Sequence, residues 1–160
     1  MTPDQTIVAS AVHSWKQNVE RADKVFSGLT EQQLLTEVAP GRNRLVYLWG
    51  HLTAVHDAML PLLGLGTRLH PELDAAFLTA ADKAVGVLPS AAEIKGHWGE
   101  VNGRLLAGFG NFTASEWAQR HTAVSEEDFA ANPLRNRLSV LMSRTSHLAY
   151  HLGQAALAPK

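Results

Sequence analysis

The sequence predicts an all-α protein, a four-helix bundle with short connecting helices. Three observations carry this. Apolar residues recur at helical spacing in every long segment, strand-like alternation is absent, and hydroxyl–Glu or hydroxyl–Gln capping pairs punctuate the chain. A chain of 160 residues supports one domain with a single core, so one bundle over residues 1–160 is expected.

Thr2, Pro3 and Gln5 supply an N-cap hydroxyl, a proline at the first helical position and a capping-box glutamine. Val8, Val12, Trp15, Val19, Ala22 and Phe26 then form one stripe, which Gly28 ends. Residues 30–35 read as a short capped turn of helix and 39–43 as a loop. The second long helix runs from about Asn43 to Leu63, with Leu45, Leu48, Leu52, Val55, Met59 and Leu63 on one face, and Gly64–Gly66 stops it. Residues 71–85 read as a short connecting helix. Ser90 and Glu93 open the third long helix, whose stripe is Ile94, Trp98, Val101, Leu105 and Phe109. It carries Gly96, Gly99, Gly103 and Gly108, each costing about 1 kcal/mol against Ala, so close packing is expected there. Thr113 and Glu116 cap another short element, 125–133 reads as linker, and the last helix spans about Leu134 to Ala158. The tetrapeptide RNRL opens both the second and the last long helix, a weak internal echo.

Composition excludes several functions. Fourteen basic against fifteen acidic residues leave a net charge of −1, so no basic field attracts nucleic acid or an anionic membrane. No signal peptide is visible at the N-terminus, and no apolar run approaches the roughly 18 residues of a membrane span. The absence of cysteine rules out disulfides, thiolate metal sites and a cysteine nucleophile, and it fits a reducing cytoplasm. Eight histidines are the compositional oddity.

Three of them share a geometry. On a wheel of about 100° per residue, His147 and His151 lie roughly 100° to one side of the stripe centred on Leu141, Leu148 and Leu152. His51 lies on the same rotational side of the stripe centred on Leu52. Imidazoles at i and i+4 are close enough to share one metal ion, and a third from a neighbouring helix completes a His₃ set. Such a set leaves positions open, as catalytic sites do, for water or for a thiol. Leu148 stands where a metalloprotease would need its Glu, which argues against a peptidase. A surface pair without metal is the plain alternative. His56 falls inside its stripe and reads as a hydrogen-bonded core residue, whereas His13, His70, His97 and His121 read as scattered over the surface.

The segments LWGHL (48–52) and HLAYHLGQ (147–154), with the helix order and the loop APGRN (39–43), resemble the DinB-like superfamily along nearly the whole chain. The resemblance implies a bundle with an up-down-down-up arrangement, often homodimeric. It implies His51, His147 and His151 as ligands of a divalent ion, nickel or zinc, and thiol-dependent transferase or isomerase chemistry using low-molecular-weight thiols. Gly153 and Gln154 match the family's end motif. Gly153 is expected to allow close helix approach, and Gln154 either bonds near the site or sits on the flank. Arg144 and Tyr47, one turn before His147 and His51, are candidate pocket residues. The first either attracts an anionic substrate group or is simply a solvated arginine, and the second either donates a hydrogen bond to a ligand or has no part in the site.

Three functions stay open at this level. The first is a metal-dependent enzyme acting on a small-molecule substrate, with an external thiol or water as nucleophile. The second is a non-catalytic metal-binding stress-response protein whose ion ties two helices together. The third is a metal-free bundle acting through a dimer surface.

Overall fold

The computed structural model describes residues 1–159. Helix α1 (Pro3–Ser27) starts on the full capping box of Thr2 and Gln5 and closes at Gly28. The short α2 (Glu31–Leu34) is capped the same way by Thr30 and Gln33. Helix α3 (Leu45–Leu63) begins two residues later than the sequence reading, without a side-chain cap. The Arg44 N–H donates to Asp82 at 2.7 Å while its guanidinium pairs with the same carboxylate. Gly64 closes α3 in the left-handed region at φ 76°, where glycine carries no Cβ penalty.

The connection that follows differs from the expected helix over 71–85. It consists of one 3₁₀ turn, Pro71–Leu73, and one π-helical turn, Ala75–Thr79, with the remainder irregular. Helix α4 (Ala91–Phe109) keeps the predicted Ser90–Glu93 box, and α5 (Ala114–Trp117) keeps that of Thr113 and Glu116. The expected linker 125–133 instead contains α6 (Glu126–Ala131). Its Ser125 hydroxyl accepts from the Asp128 N–H, and its first turn is acidic, both of which stabilise a helix start. Helix α7 (Arg137–Ala156) starts three residues later than predicted. Pro133 disfavours helix in its neighbourhood, and Asn136 supplies the cap by accepting from the Ser139 N–H.

Helix α1 packs on α7 and α4, and α3 packs on α4 and α7, so the ring order is α1–α7–α3–α4. Contacts give the directions. Trp15 meets Phe109 while Asp23 meets Trp98, so α1 and α4 are antiparallel. His56 meets Asn102 while Leu65, just past α3, meets Gly108, so α3 and α4 run parallel. His51 meets His147 while Leu62 borders Val140 and Ser143, so α3 and α7 are antiparallel. The result is up-down-down-up. No helix among the described residues is long and apolar enough to cross a membrane.

Helix α3 is the most enclosed element and buries residues on every side, including Thr53, His56 and Asp57. Its own Trp49 is fully buried, and around it lie the fully buried Trp15, Trp98, Trp117, Phe26 and Phe77. The glycine expectation holds at one of four positions in α4. A Cβ at Gly108 would stand 2.7 Å from Leu65, but Gly96, Gly99 and Gly103 face open space. Gly153 also faces open space, so it is not a helix-approach position.

Candidate metal centre

Helix α7 buries Leu141, Leu148 and Ala155, one residue every seven. That seam fixes its rotation and turns His147 and His151, one turn apart, toward the groove against α3. The antiparallel α3 buries Leu52 at the core and brings His51 into the same groove. All three histidines are partly buried. One ligand atom from each lies within 4.8 Å of the other two.

The rings present the same edge inward. His147 Nε2 lies 3.3 Å from His51 Nε2 and 3.0 Å from His151 Nε2. Two nitrogens held at about 2.0–2.1 Å from one tetrahedral ion stand about 3.3–3.4 Å apart, so these separations suit a shared cation. The opposite edges fix the tautomers. His51 Nδ1 is 2.8 Å from the Phe77 carbonyl oxygen, which only accepts, so Nδ1 carries the proton and Nε2 keeps its lone pair. His151 Nδ1 stands 2.7 Å from Gln154 Oε1, with the same consequence, and the Gln154 amide N–H donates to the Tyr150 hydroxyl. Imidazoles whose second nitrogen donates to a carbonyl or amide oxygen are oriented as metal ligands are. His147 is the exception, because its buried Nδ1 has no partner among the described residues. Ligation through its Nε2 therefore leaves one unsatisfied N–H, at a cost of about 1–3 kcal/mol.

Burial and neighbouring charge favour neutral imidazole at two of the three positions. Burial, then the neighbouring His151, His51 and Arg144, push the His147 pKa down to about 4. Burial also lowers His151, against the opposing effect of the hydrogen bond that its Nδ1 donates to Gln154. Neutral imidazole is the form that binds metal.

The seat of His51 was not readable from the sequence. The π-helical turn Ala75–Thr79 carries the Phe77 carbonyl, and the fully buried Phe77 ring lies against Gly50. A Cβ at Gly50 would sit 2.2 Å from that ring, so only glycine allows this approach. A glycine directly before His51 was the sole signal. Tyr47 stands beside His51, with ring centroids 6.3 Å apart, but its hydroxyl donates to the Ala80 carbonyl at 2.8 Å. It is buried, so the expected donation to a ligand gives way to a bond that anchors the same connecting segment. Gln154 lies within hydrogen-bond distance of His151, next to the candidate site. Arg144 forms no ion pair among the described residues. It lines a groove of about 290 Å³ with Leu62, His121, Arg135 and Ser143.

The other histidines divide. His13 is exposed as expected. His56 is fully buried with Nδ1 2.7 Å from Asn102 Oδ1, the core role predicted for it. His70 and His97 are not scattered, since their ring centroids lie 3.8 Å apart.

Four long helices enclosing three inward-facing imidazole nitrogens define an all-α bundle equipped to hold a metal ion. Residues 14–155 match the family model of the DinB superfamily, and the chain belongs to that superfamily. No curated protein matches the chain.

Proposed function

We propose that this protein is a metal-dependent enzyme acting on small molecules, of the thiol S-transferase or isomerase type, with His51, His147 and His151 holding zinc or nickel. One observation carries the reading: three Nε2 atoms face one another, and two of the rings are locked by Phe77 and Gln154 in the ligating tautomer. A divalent ion bound there supplies Lewis acidity that lowers the pKa of a thiol or of water. The chain's own residues do the rest. Burial favours the neutral form of His147 and His151. The Arg144 guanidinium offers an anchor to a carboxylate on the substrate. The chain contains no cysteine, so the sulfur comes from an external low-molecular-weight thiol, which a reducing cytoplasm would supply.

The transfer balances simply. The thiol proton passes to water and sulfur bonds to the electrophilic carbon; either chloride leaves, or an epoxide C–O bond opens and its oxygen takes a proton back from water. The test uses protein purified without an affinity tag and loaded with zinc or nickel. Low-molecular-weight thiols are paired with chlorodinitrobenzene-type and epoxide acceptors. A rate above that of the H51A/H147A/H151A protein is expected, and equal rates refute the enzymatic reading.

A second reading rests on the 96 residues separating His51 from His147. An ion between them ties α3 to α7 without turnover. It predicts metal-dependent melting together with the absence of exchangeable water on the ion.

A further inference from the structure

A second histidine cluster lies on the other side of α3's contacts, where the α3–α4 connection meets α4. We infer that His70, His97 and Glu100 form a separate binding site for a divalent first-row transition-metal ion, with Glu72 as the acceptor behind His70. One ligand atom from each of His70, His97 and Glu100 lies within 4.8 Å of the other two. Helix α7 contributes nothing to this site, and it stands independently of the function proposed above.

The backbone at His70 is fixed from the core. Asp57, on α3, has a side chain with no solvent exposure. Its carboxylate accepts from the Leu69 N–H at 2.8 Å, the His70 N–H at 3.0 Å and Arg68 Nε at 2.8 Å. Arg68 in turn pairs with Asp74 on the far side of the 3₁₀ turn. Three charge-assisted bonds to one enclosed carboxylate make residues 68–70 a rigid platform. The other two donors come from α4, where spacing i, i+3 puts His97 and Glu100 on one face.

The bonding around His70 asks for a cation. Its Nδ1 is 3.2 Å from Glu72 Oε1 and its Nε2 is 3.0 Å from Glu100 Oε2. A neutral imidazole has one N–H, so one ring nitrogen would point a lone pair at a carboxylate. Either a second proton or a metal ion removes that repulsion. The position of His97 favours the metal, because its ring adds a third donor at the same point and makes no other hydrogen bond among the described residues. With Nδ1–H donated to Glu72, His70 is the carboxylate-backed imidazole typical of metal sites, and Nε2 is the ligand atom. Two imidazoles and a carboxylate suit zinc, cobalt or nickel, and the exposed Glu100 leaves room for water in the remaining positions. Such an ion would pin residues 68–74 onto α4.

Equilibrium dialysis of untagged protein against Zn²⁺ at neutral pH tests this. Wild type is expected to bind two ions per chain, His97→Ala one, and H147A/H151A one. Adding His97→Ala or Glu100→Gln to H147A/H151A is expected to weaken the remaining binding at least tenfold. Both positions are solvent-accessible on α4, and far-UV circular dichroism checks that the helices persist. If H147A/H151A retains no ion, or if its ion survives both additions unchanged, the inference is wrong. A wild type that binds one ion, lost with His97→Ala but kept with H147A/H151A, would uphold this site and refute the His51 site instead.

Discussion

Gln154 shows what one side chain can do at the candidate centre. Its Oε1 is the acceptor that holds His151 with Nε2 free. Gln154→Leu keeps comparable bulk and removes the acceptor, so the ring loses its tautomer and orientation. Loss of such an outer partner typically costs about 10–100-fold in metal affinity. That loss is expected for Gln154→Leu in a competition titration with a zinc chelator, while Gln154→Glu, which restores an acceptor, stays near wild type. Equal affinity for the Leu variant would remove Gln154 from the site. The histidine pair was legible because its spacing is a sequence property. The Phe77 acceptor was not, because a main-chain carbonyl has no sequence signature. His70 and Glu100 were missed for a related reason: they are 30 residues apart, and only the Asp57 clamp brings them together.

Glycines separate what a helix tolerates from what its neighbours require. Gly50 and Gly103 look alike in the sequence, each inside a long helical pattern. Around Gly50 the fully buried Phe77 ring leaves no space for a methyl group, whereas around Gly103 nothing lies within 4 Å. The two Ala variants should therefore shift stability in opposite directions. Gly50→Ala overpacks the core and is expected to cost about 1–3 kcal/mol. It should also weaken zinc binding, since the displaced ring belongs to the residue whose carbonyl seats His51. Gly103→Ala removes backbone freedom without a clash and is expected to gain up to about 1 kcal/mol. Thermal melts resolve both, at roughly 2–4 °C per kcal/mol for a domain of this size. Destabilisation by Gly103→Ala would show that α4 needs that glycine for a contact absent here. Capping boxes made the starts of α1, α2, α4 and α5 readable in advance. The π-helical turn has no such local code, because Phe77 adopts it by filling the space that Gly50 leaves. The RNRL echo also gains substance at this scale. A short capped helix, α2 or α5, and one isolated antiparallel bridge precede the start of both α3 and α7.

Across the whole molecule, the apolar stripes sufficed to predict four helices around one core, since each stripe must be covered by another. They did not contain the ring order, which depends on pair contacts such as His56 with Asn102. That pair is also poorly compatible with acid. His56 is fully buried with its ring stacked on Trp98, and burial, opposed by the bond to Asn102, pushes its pKa down to about 4. In the unfolded chain it returns to about 6.5. The unfolded state therefore binds the extra proton first, and stability falls as pH drops. The contribution is complete above about pH 6.5 and is lost progressively down to about pH 4, on the order of 3 kcal/mol in all. Glu93 and Glu116 cannot produce this window. Hydrogen bonds from Ser90 and Thr113 hold them below their ordinary 4.5, so they lose their effect only at lower pH. His147 can, because its pKa is displaced in the same direction. Urea unfolding between pH 7.5 and 5 should therefore be run in the H147A/H151A background, free of metal. There, stability is expected to fall with acidification. Adding H56L/N102L, which replaces both buried polar partners by apolar groups, should flatten most of that slope. An unchanged slope would mean that the acid sensitivity lies elsewhere and that the core tolerates a charged His56.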